Sequence, residues 1–474
     1  MSRTRIVATV GPATNTPEIL RALAAAGMGI VRLNGSHADL DWHRAAIRMI
    51  REALPDVPII LDIPGRKIRT RRLLHEPDFE VGDEVVFTTD SSHDGRSKVP
   101  VTYDRLHEDV QAGQTIMVDD GTLMFKVVRI SGPDIVCRAM TAGRISSAKG
   151  INVPHVKLNT ALVTRRDEEM VSFARSTEVD YIGISFVESA EHVKAIRKLV
   201  AADGPLIVSK IETQKGIDHL DEIVDATDSI MIDRGDLSVE TNLESLALMQ
   251  KDIIIRARRA GKPVIVATEM LHTMITNSFP TKAEVSDITN AVLDGCAATM
   301  LSGETAVGQY PEEAVALMRR VANVAESYLQ GGLDIESNSA RSSIPRAIED
   351  AVAMVCRNLP VTKVVAVTKS GYAARMLAAH MIRQPVLAVT NNQRAARSFN
   401  LLPGVEGIFV DIEFPRTSAD HIIQCLRELW RRGKLTDDDL VLSTAVAYPR
   451  SGNRMNLLQT HYVRDLVETL RWSR

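Results

Sequence analysis

Short apolar, β-branched runs recur along the chain. Each is followed by a small cluster of polar or glycine residues and then by a helical pattern. Over the first three hundred positions these runs fall at 5–10, 30–33, 58–62, 180–184, 206–211, 229–232, 263–267 and 297–301. Most are continuously apolar rather than alternating, as expected of parallel strands buried on both faces. The stretches between them read as helices. Thr16 and Pro17 supply an N-cap and first turn for a helix that ends at Gly27. Residues 242–260 carry apolar positions at helical spacing and stop at Gly261, and 281–293 and 311–328 behave alike. Eight strands alternating with helices predict an α/β fold, a (β/α)8 TIM barrel, with a doubly wound open sheet as the alternative.

One connection breaks this rhythm. Residues 70–156 alternate apolar and polar positions, with turn signals at Gly82-Asp83 and Asp120-Gly121. They read as an inserted small β-barrel lid domain, placed to close over the barrel mouth. The barrel then comprises 1–69 and 157–330. A glycine- and serine-rich stretch follows, a linker over 331–345. Strand-like runs at 363–368, 385–390, 407–411 and 439–442 alternate with helical patterns, which predicts a C-terminal open-sheet α/β domain over 346–474.

Composition narrows the partners. The chain has 474 residues, 45% apolar and 25% charged, with a formal net charge of −3. That describes a soluble globular protein of two to four domains without the basic footprint of a nucleic-acid binder. Trp42, Trp430 and Trp472 show no stacking pattern for bases. Cys137, Cys296, Cys356 and Cys425 share no metal-like spacing and read as reduced packing thiols, with Cys296 in the core. The N-terminus reads as a strand rather than a signal peptide, and no apolar run reaches the ~20 residues of a membrane helix. The expectation is a cytoplasmic protein with no membrane partner.

In a (β/α)8 barrel, active groups project from the C-terminal strand ends. Strand two leads into Arg32, Asn34, Ser36 and His37, and strand three into Asp62, with Lys67 and Arg69 downstream. Strand four ends in Ser185-Phe186, strand five in Lys210-Ile211-Glu212, and strand six leads into Asp233-Arg234-Gly235-Asp236. Strand seven ends in Thr268-Glu269 and strand eight in Ser302-Gly303-Glu304. Lys210 and Glu212 lie two apart on a strand, so their side chains leave the same face. Alone, that pair is equally a satisfied buried ion pair. Asp236, in a glycine turn after the next strand, adds a second oxygen ligand. Two such ligands suit Mg²⁺ (or Mn²⁺), which keeps several waters and takes its remaining ligands from phosphate oxygens. The nearby lysine and arginine supply the positive charge that phosphoryl transfer needs. Gly235-Asp236 opens a short helix whose free N–H groups can hold a carboxylate or phosphate. His37 and His43 form no metal triad, and His43 is expected at the surface. Asp119-Asp120-Gly121 reads as a β-turn, with lid closure as the route by which Asp119 would approach the site.

Ten segments in sequence order resemble the pyruvate kinase family. They are MGIVRLNGSH, LDIPGRKIRT, VDDGTL, AKGINVP, YIGISF, SKIET, IMIDRGDLSVE, PVIVATEML, PTKAEVSDITNAVLDG and MLSGETAVGQYP. They cover about the first 315 residues, and the similarity continues more weakly through the C-terminal domain. The resemblance implies phosphoryl transfer from phosphoenolpyruvate to ADP, a three-domain plan, and a homotetramer. It implies that Lys210 stabilises the phosphoryl group and that Glu212 and Asp236 bind the metal. It gives Arg32 the phosphate, and Thr268 with the backbone of Gly235 and Asp236 the substrate carboxylate, with Ser185 also among the substrate contacts. Ser302 and Glu304 would complete a proton-relay wall. Lys149, on the lid, would reach the nucleotide phosphates, with Thr9, Pro12, His37 and Arg69 on the nucleotide side. Thr368, Lys369, Ser370 and Gly371 end a strand and start a helix, where relatives place a sugar-phosphate or nucleotide effector. A helix cap by Ser370 accounts for the same residues.

Departures from the family pattern carry expectations of their own. Asp233 stands where the family has alanine, Ser238 where it has glycine, and Glu269 where it has glutamine. Two extra carboxylates weaken binding of an anionic substrate unless cations pair with them. Members that need a monovalent cation carry an acidic residue in a GPEIR stretch. Here the stretch is Gly65-Arg66-Lys67-Ile68-Arg69, and Ile63 replaces threonine. An ammonium at Lys67, beside Asn34, Ser36 and Asp62, would supply the charge of K⁺, so activity without K⁺ is expected. Two competing functions are a metal-enolate aldolase or decarboxylase acting on a 2-oxo acid and a non-catalytic phospho-ligand sensor. The lid and Lys149 argue against the first, and the intact Lys210, Glu212, Asp236 and Thr268 set against the second.

Overall fold

The computed structural model describes residues 3–329, 344–446 and 455–473, apart from 155, 157, 160, 203 and 416. The linker expected over 331–345 lies outside them except for its last two residues, which open the helix Ile344–Asn358.

Eight parallel strands close into a barrel in chain order: Arg5–Thr9, Ile30–Asn34, Ile59–Ile63, Tyr181–Ile184, Leu206–Ile211, Ser229–Asp233, Val264–Ala267 and Ala298–Leu301. The last strand pairs with the first, Ala298 opposite Arg5 and Leu301 opposite Ala8, so the open-sheet alternative falls. One parity of residues fills the interior, among them Val7, Ile30, Ile60, Val208, Met231 and Ile265. The other parity, including Ile6, Ala8, Leu61, Ile182 and Ile207, packs against the helices. Both faces are buried, which is why the runs are continuously apolar. The helices start where the caps stand: Thr16 accepts the Ile19 N–H, and Thr281 and Glu284 form a reciprocal capping box. His43 is buried, contrary to the surface position expected for it. It shares the inner stripe of helix Leu40–Ala53 with Ala46, Ile47 and Ile50, and its Nε2 lies 3.0 Å from the His37 carbonyl.

The insertion leaves the barrel after the third strand. Its sheet begins at Ile68–Arg69, two residues before the expected boundary, because Ile68 pairs with Ile151 and joins the insertion's own core. Seven strands form the sheet, and its two edges meet where Thr70 bridges Val101. The Arg71 N–H donates to Pro100 O and the Thr102 N–H to Arg69 O, which curls the sheet into a small barrel around Phe79, Phe87 and Phe125.

The C-terminal sheet runs in the order Val405–Phe409, Val386–Thr390, Lys363–Val367, Leu440–Ala445, Leu457–Tyr462, and the last strand is antiparallel. Two differences from the sequence reading have physical causes. The strand expected over 407–411 starts earlier, at Val405, and Gly407 sits inside it. A Cβ there would lie 1.8 Å from the Ala396 carbonyl, so glycine marks close packing of the helix Gln393–Phe399 rather than a break. The edge strand Leu457–Tyr462 carries Gln459, Thr460 and His461 and lacks a buried apolar run, so its sequence does not announce it.

This domain seats on the barrel floor. Leu401 joins the barrel-interior cluster, and the Tyr181 hydroxyl donates to Ser398 O at 2.7 Å. Asp180, fully buried, pairs with Arg51, with Arg397 at 2.9 Å and with the Ile59 N–H at 2.9 Å. The opposite end of the barrel is thereby left to the site.

Asp180→Asn removes the counter-charge of two buried guanidiniums and should destabilise the protein by about 3 kcal/mol or more. The thermal midpoint should fall and amide exchange in Gln393–Phe399 should rise; an unchanged midpoint and exchange pattern would contradict this account of the docking. A second expectation concerns His192, fully buried in helix Ala190–Val200, whose imidazole is pushed down to about 4 by burial and by the Arg66 charge. The unfolded chain binds a proton near pH 6.5 that the folded chain refuses until about pH 4. Stability is therefore full above that window and drains away as pH falls through it, by about 3 kcal/mol at most. His192→Leu should flatten the slope of urea midpoints between pH 7 and pH 5 relative to the parent, and parallel slopes would rule out His192 as the source.

Candidate active site

The rim of the barrel is assembled by strand register. Lys210 stands opposite Met231 and Ile211 opposite Ile232, so Glu212 at the end of strand five faces Asp233 at the end of strand six. All three charged side chains leave on the inward face and are buried. Lys210 Nζ lies 2.7 Å from Glu212 Oε1, 3.0 Å from Asp233 Oδ2, 3.8 Å from Asp62 Oδ2 and 3.5 Å from Ser185 Oγ. The Phe186 N–H donates to the second Glu212 oxygen. From strand two, Arg32 forks onto Asp62 Oδ2, with Nη2 at 2.8 Å and Nε at 2.9 Å, and its Nη1 donates to Thr9 Oγ1 at 3.2 Å. Asp62 can lie so close to strand four because residue 183 is glycine: a Cβ there would sit 2.0 Å from Asp62 Oδ1.

Thr268 and Glu269 both adopt left-handed backbone, φ 64° and 55°, which is uncommon for a β-branched residue and marks a constrained functional loop. The Gly235 N–H donates to Thr268 Oγ1 at 2.8 Å, and that hydroxyl donates to Ala267 O at 2.7 Å, tying the seventh strand end to the start of helix Arg234–Glu240. Glu304 is buried and accepts the Leu271 N–H at 3.0 Å and the Ser302 N–H at 2.8 Å. Its carboxylate therefore braces the loops after strands seven and eight, and of the expected relay pair it is the Ser302 hydroxyl that has no hydrogen-bond partner among the described residues.

Lys67 was expected beside Asn34, Ser36 and Asp62. Its ammonium instead meets Asp236 Oδ1 at 2.6 Å, with Asp120 Oδ1 of the insertion at 3.6 Å and the Phe186 ring centroid at 5.7 Å. Electrostatics explains the difference. Asp62 is already shared by Arg32 and Lys210, whereas Asp236 has no other cation within ion-pair distance among the described residues. Asp119 and Asp120 are both left-handed, φ 55° and 52°, and form the turn read from the sequence. Asp119 is held by Lys149 at 2.8 Å, so it is Asp120 that the turn presents to the site.

The cluster shifts its own protonation. Burial pushes the Glu212 carboxyl up to about 8 against the pull of Lys210. Burial opposes the Asp233 charge as well, but the Lys210 ammonium outweighs it and holds Asp233 down at about 2. Asp236 is raised by burial and by Asp233, against Lys67. Burial opposes the charge on both lysines, yet Glu212, Asp233 and Asp62 hold Lys210, and Asp236 holds Lys67, above the ordinary lysine range.

A divalent ion fits this donor set. Glu212, Asp233 and Asp236 each offer an oxygen within 4.8 Å of the other two. These are hard oxygen ligands of the kind Mg²⁺ takes, and an ammonium already stands as a cation against Asp236. The mouth around them is a solvent-open cavity of about 330 Å³. Arg32, Asn34, Ser36, Lys67, Arg69, Ser185, Lys210, Thr268 and Ser302 reach this one space. Thr9 lies behind Arg32, and Pro12, His37 and Lys149 lie outside the described walls of the cavity. Asp233, at the rim after strand six and a departure from the family pattern, joins the cluster because it shares inward parity with Glu212 across the ladder. In the C-terminal domain, helix Tyr372–Ala379 starts after Gly371 with no side-chain cap, so the cap expected from Ser370 does not form; Thr368 Oγ1 instead accepts the Gly371 N–H at 3.0 Å in the preceding turn.

Comparison with known proteins covers most of the chain. A family model described as the barrel domain of pyruvate kinase matches residues 1–315, and one for its alpha/beta domain matches 346–461. A pyruvate kinase of Bacillus licheniformis is 38% identical over 481 residues, 98% of this chain and 81% of that protein. One of Clostridium perfringens is 36% identical over 95% of this chain and 97% of its own. The crystal structure of a pyruvate kinase from Cryptosporidium parvum aligns with TM-score 0.87 at 30% identity, over 98% of this chain and 96% of that one.

Proposed function

The chain belongs to the pyruvate kinase family, and we propose that its transfer of a phosphoryl group from phosphoenolpyruvate to ADP, giving pyruvate and ATP, runs on Lys210, Arg32 and a magnesium ion held at Glu212 and Asp236. The family requires a divalent metal. The observation that carries the reading is the convergence of Lys210 and the carboxylates of adjacent strands at one buried point of the rim. The ion, when bound, neutralises phosphoryl and carboxylate oxygens of the substrate.

The chain's own groups do the rest. Arg32, fixed by Asp62 and Thr9, presents its guanidinium to the phosphate. Lys210 has an ammonium that can leave its carboxylate partners for the transferring group, where charge develops. Thr268, clamped between Gly235 N–H and Ala267 O, holds its hydroxyl beside the helix start, where the substrate carboxylate and then the enolate would lie. Ser302 offers a free hydroxyl for moving a proton to the enolate carbon. Lys149 and Arg69 reach the nucleotide on lid closure, with His37 and Pro12 on its far side.

The same reading covers cation dependence, regulation and setting. Lys67 brings a monovalent positive charge into the cavity on its own stem, which supports activity without K⁺. The Thr368–Gly371 loop is the candidate cradle for a sugar-phosphate or nucleotide effector. By analogy with the family, the reading extends to a cytoplasmic homotetramer.

Two measurements test this. With Mg²⁺, ADP and phosphoenolpyruvate, pyruvate formation coupled to a dehydrogenase should proceed, and Lys210→Met should lose roughly a thousandfold or more in kcat; turnover within tenfold of the parent would remove Lys210 from its role. In buffer free of sodium and potassium, adding K⁺ should change the parent rate by less than about twofold, while Lys67→Glu should become K⁺-dependent by about tenfold or more, the span of one charge contact. Strong K⁺ activation of the parent would exclude Lys67 as the built-in cation.

A further inference from the structure

We propose that Asp233 is a third carboxylate ligand of the divalent ion, so that this chain holds it on Glu212, Asp233 and Asp236. The inference rests on the metal reading above and extends it by one residue.

The backbone sets the arrangement. Glu212 and Asp233 end adjacent parallel strands one step beyond the paired Ile211 and Ile232, and both point inward. Helix Arg234–Glu240 begins at once, and Asp236 in its first turn returns over Asp233. One oxygen from each residue lies within 4.8 Å of the others. Octahedral coordination at about 2.0–2.1 Å needs oxygens roughly 3–4 Å apart, so closing on an ion takes movement of under about an ångström.

Three further observations turn Asp233 toward an ion. An aspartate at a helix N-cap ordinarily accepts an N–H of the first turn. Asp233 occupies that position but makes no capping hydrogen bond, and the Gly235 N–H that it would otherwise take goes to Thr268 Oγ1 at 2.8 Å. Its carboxylate is thus freed from its own helix and faces the cluster. Glu212, fully buried, gives its Oε1 to the Lys210 ammonium at 2.7 Å and to no other group at hydrogen-bond distance among the described residues. Finally, Lys210 already has Glu212 at 2.7 Å and Asp62 at 3.8 Å beside its ammonium, so Asp233 at 3.0 Å is a third carboxylate on one cation. A further carboxylate leaves the cluster in excess of negative charge, and a divalent ion corrects that. The ammoniums of Lys210 and Lys67 ride on flexible stems and can move aside.

Titrating Mn²⁺ into the full-length protein without substrate, with free Mn²⁺ read by electron paramagnetic resonance, tests this. The parent should bind one ion per chain. Asp233→Ala should weaken binding by about tenfold or more, because ligand charge count sets affinity at such sites, and Asp233→Asn should fall between. If Glu212→Gln abolishes binding while Asp233→Ala stays within twofold of the parent, Asp233 is only a counter-ion and the inference fails while the metal reading stands. If both bind like the parent, the ion lies elsewhere and the metal reading fails with it. Should Asp233→Ala not fold, Asp233→Asn decides: parental affinity in that variant overturns the proposal.

Discussion

Lys210 is buried at the cavity wall with carboxylates from three strands around its ammonium. Taking those charges out of water costs several kcal/mol per ion, and replacing such a cluster by well-packed apolar residues would often be neutral or stabilising. The cluster is thus a burden on the fold. It survives because the surrounding structure leaves it no alternative: eight hydrogen-bonded strands fix the register that sets Glu212 against Asp233, and apolar residues of the barrel interior fill the space beneath. Closure of the barrel is what makes the site possible. An open sheet would let water reach these groups and relax them apart.

The rest of the molecule divides along the barrel axis in keeping with that burden. The floor is sealed by the C-terminal domain through Leu401, Tyr181 and the Asp180–Arg397 pair. The mouth carries the strained and charged elements, including Thr268 and Glu269 in left-handed backbone. The insertion reaches the rim through Asp120, 3.6 Å from the Lys67 ammonium that pairs with Asp236. Stability is concentrated at one end and chemistry at the other, the division expected of this barrel type.

Much of this was legible in the sequence because it depends on short-range periodicity. Continuous apolar runs marked strands buried on both faces, and the spacing of Lys210 and Glu212 put them on one side of a strand. What was not legible depends on distant neighbours. His43 reads as a polar residue on a helix, and only the stripe with Ala46, Ile47 and Ile50 turns it inward. Gly407 reads as a break, and only the approach of Ala396 shows it to be a contact point. Lys67 was recognised as unusual, but its partner was misjudged, since nothing local reveals that Asp62 is already claimed by Arg32 while Asp236 is open to an ammonium.

The two unusual charges at the rim are best understood together. Asp233 brings a negative charge and Lys67 a positive one, and both lie against the same carboxylate–lysine cluster. Arg32, Lys67 and Lys210 face Asp62, Glu212, Asp233 and Asp236, leaving one formal negative charge in excess, and a divalent ion turns that into one positive. Removing either unusual residue alone would tilt that balance by a full charge in a water-poor space, where a charge counts for far more than at the surface. The carboxylate at 233 is therefore tolerable in a site for an anionic substrate because the ammonium at 67 accompanies it.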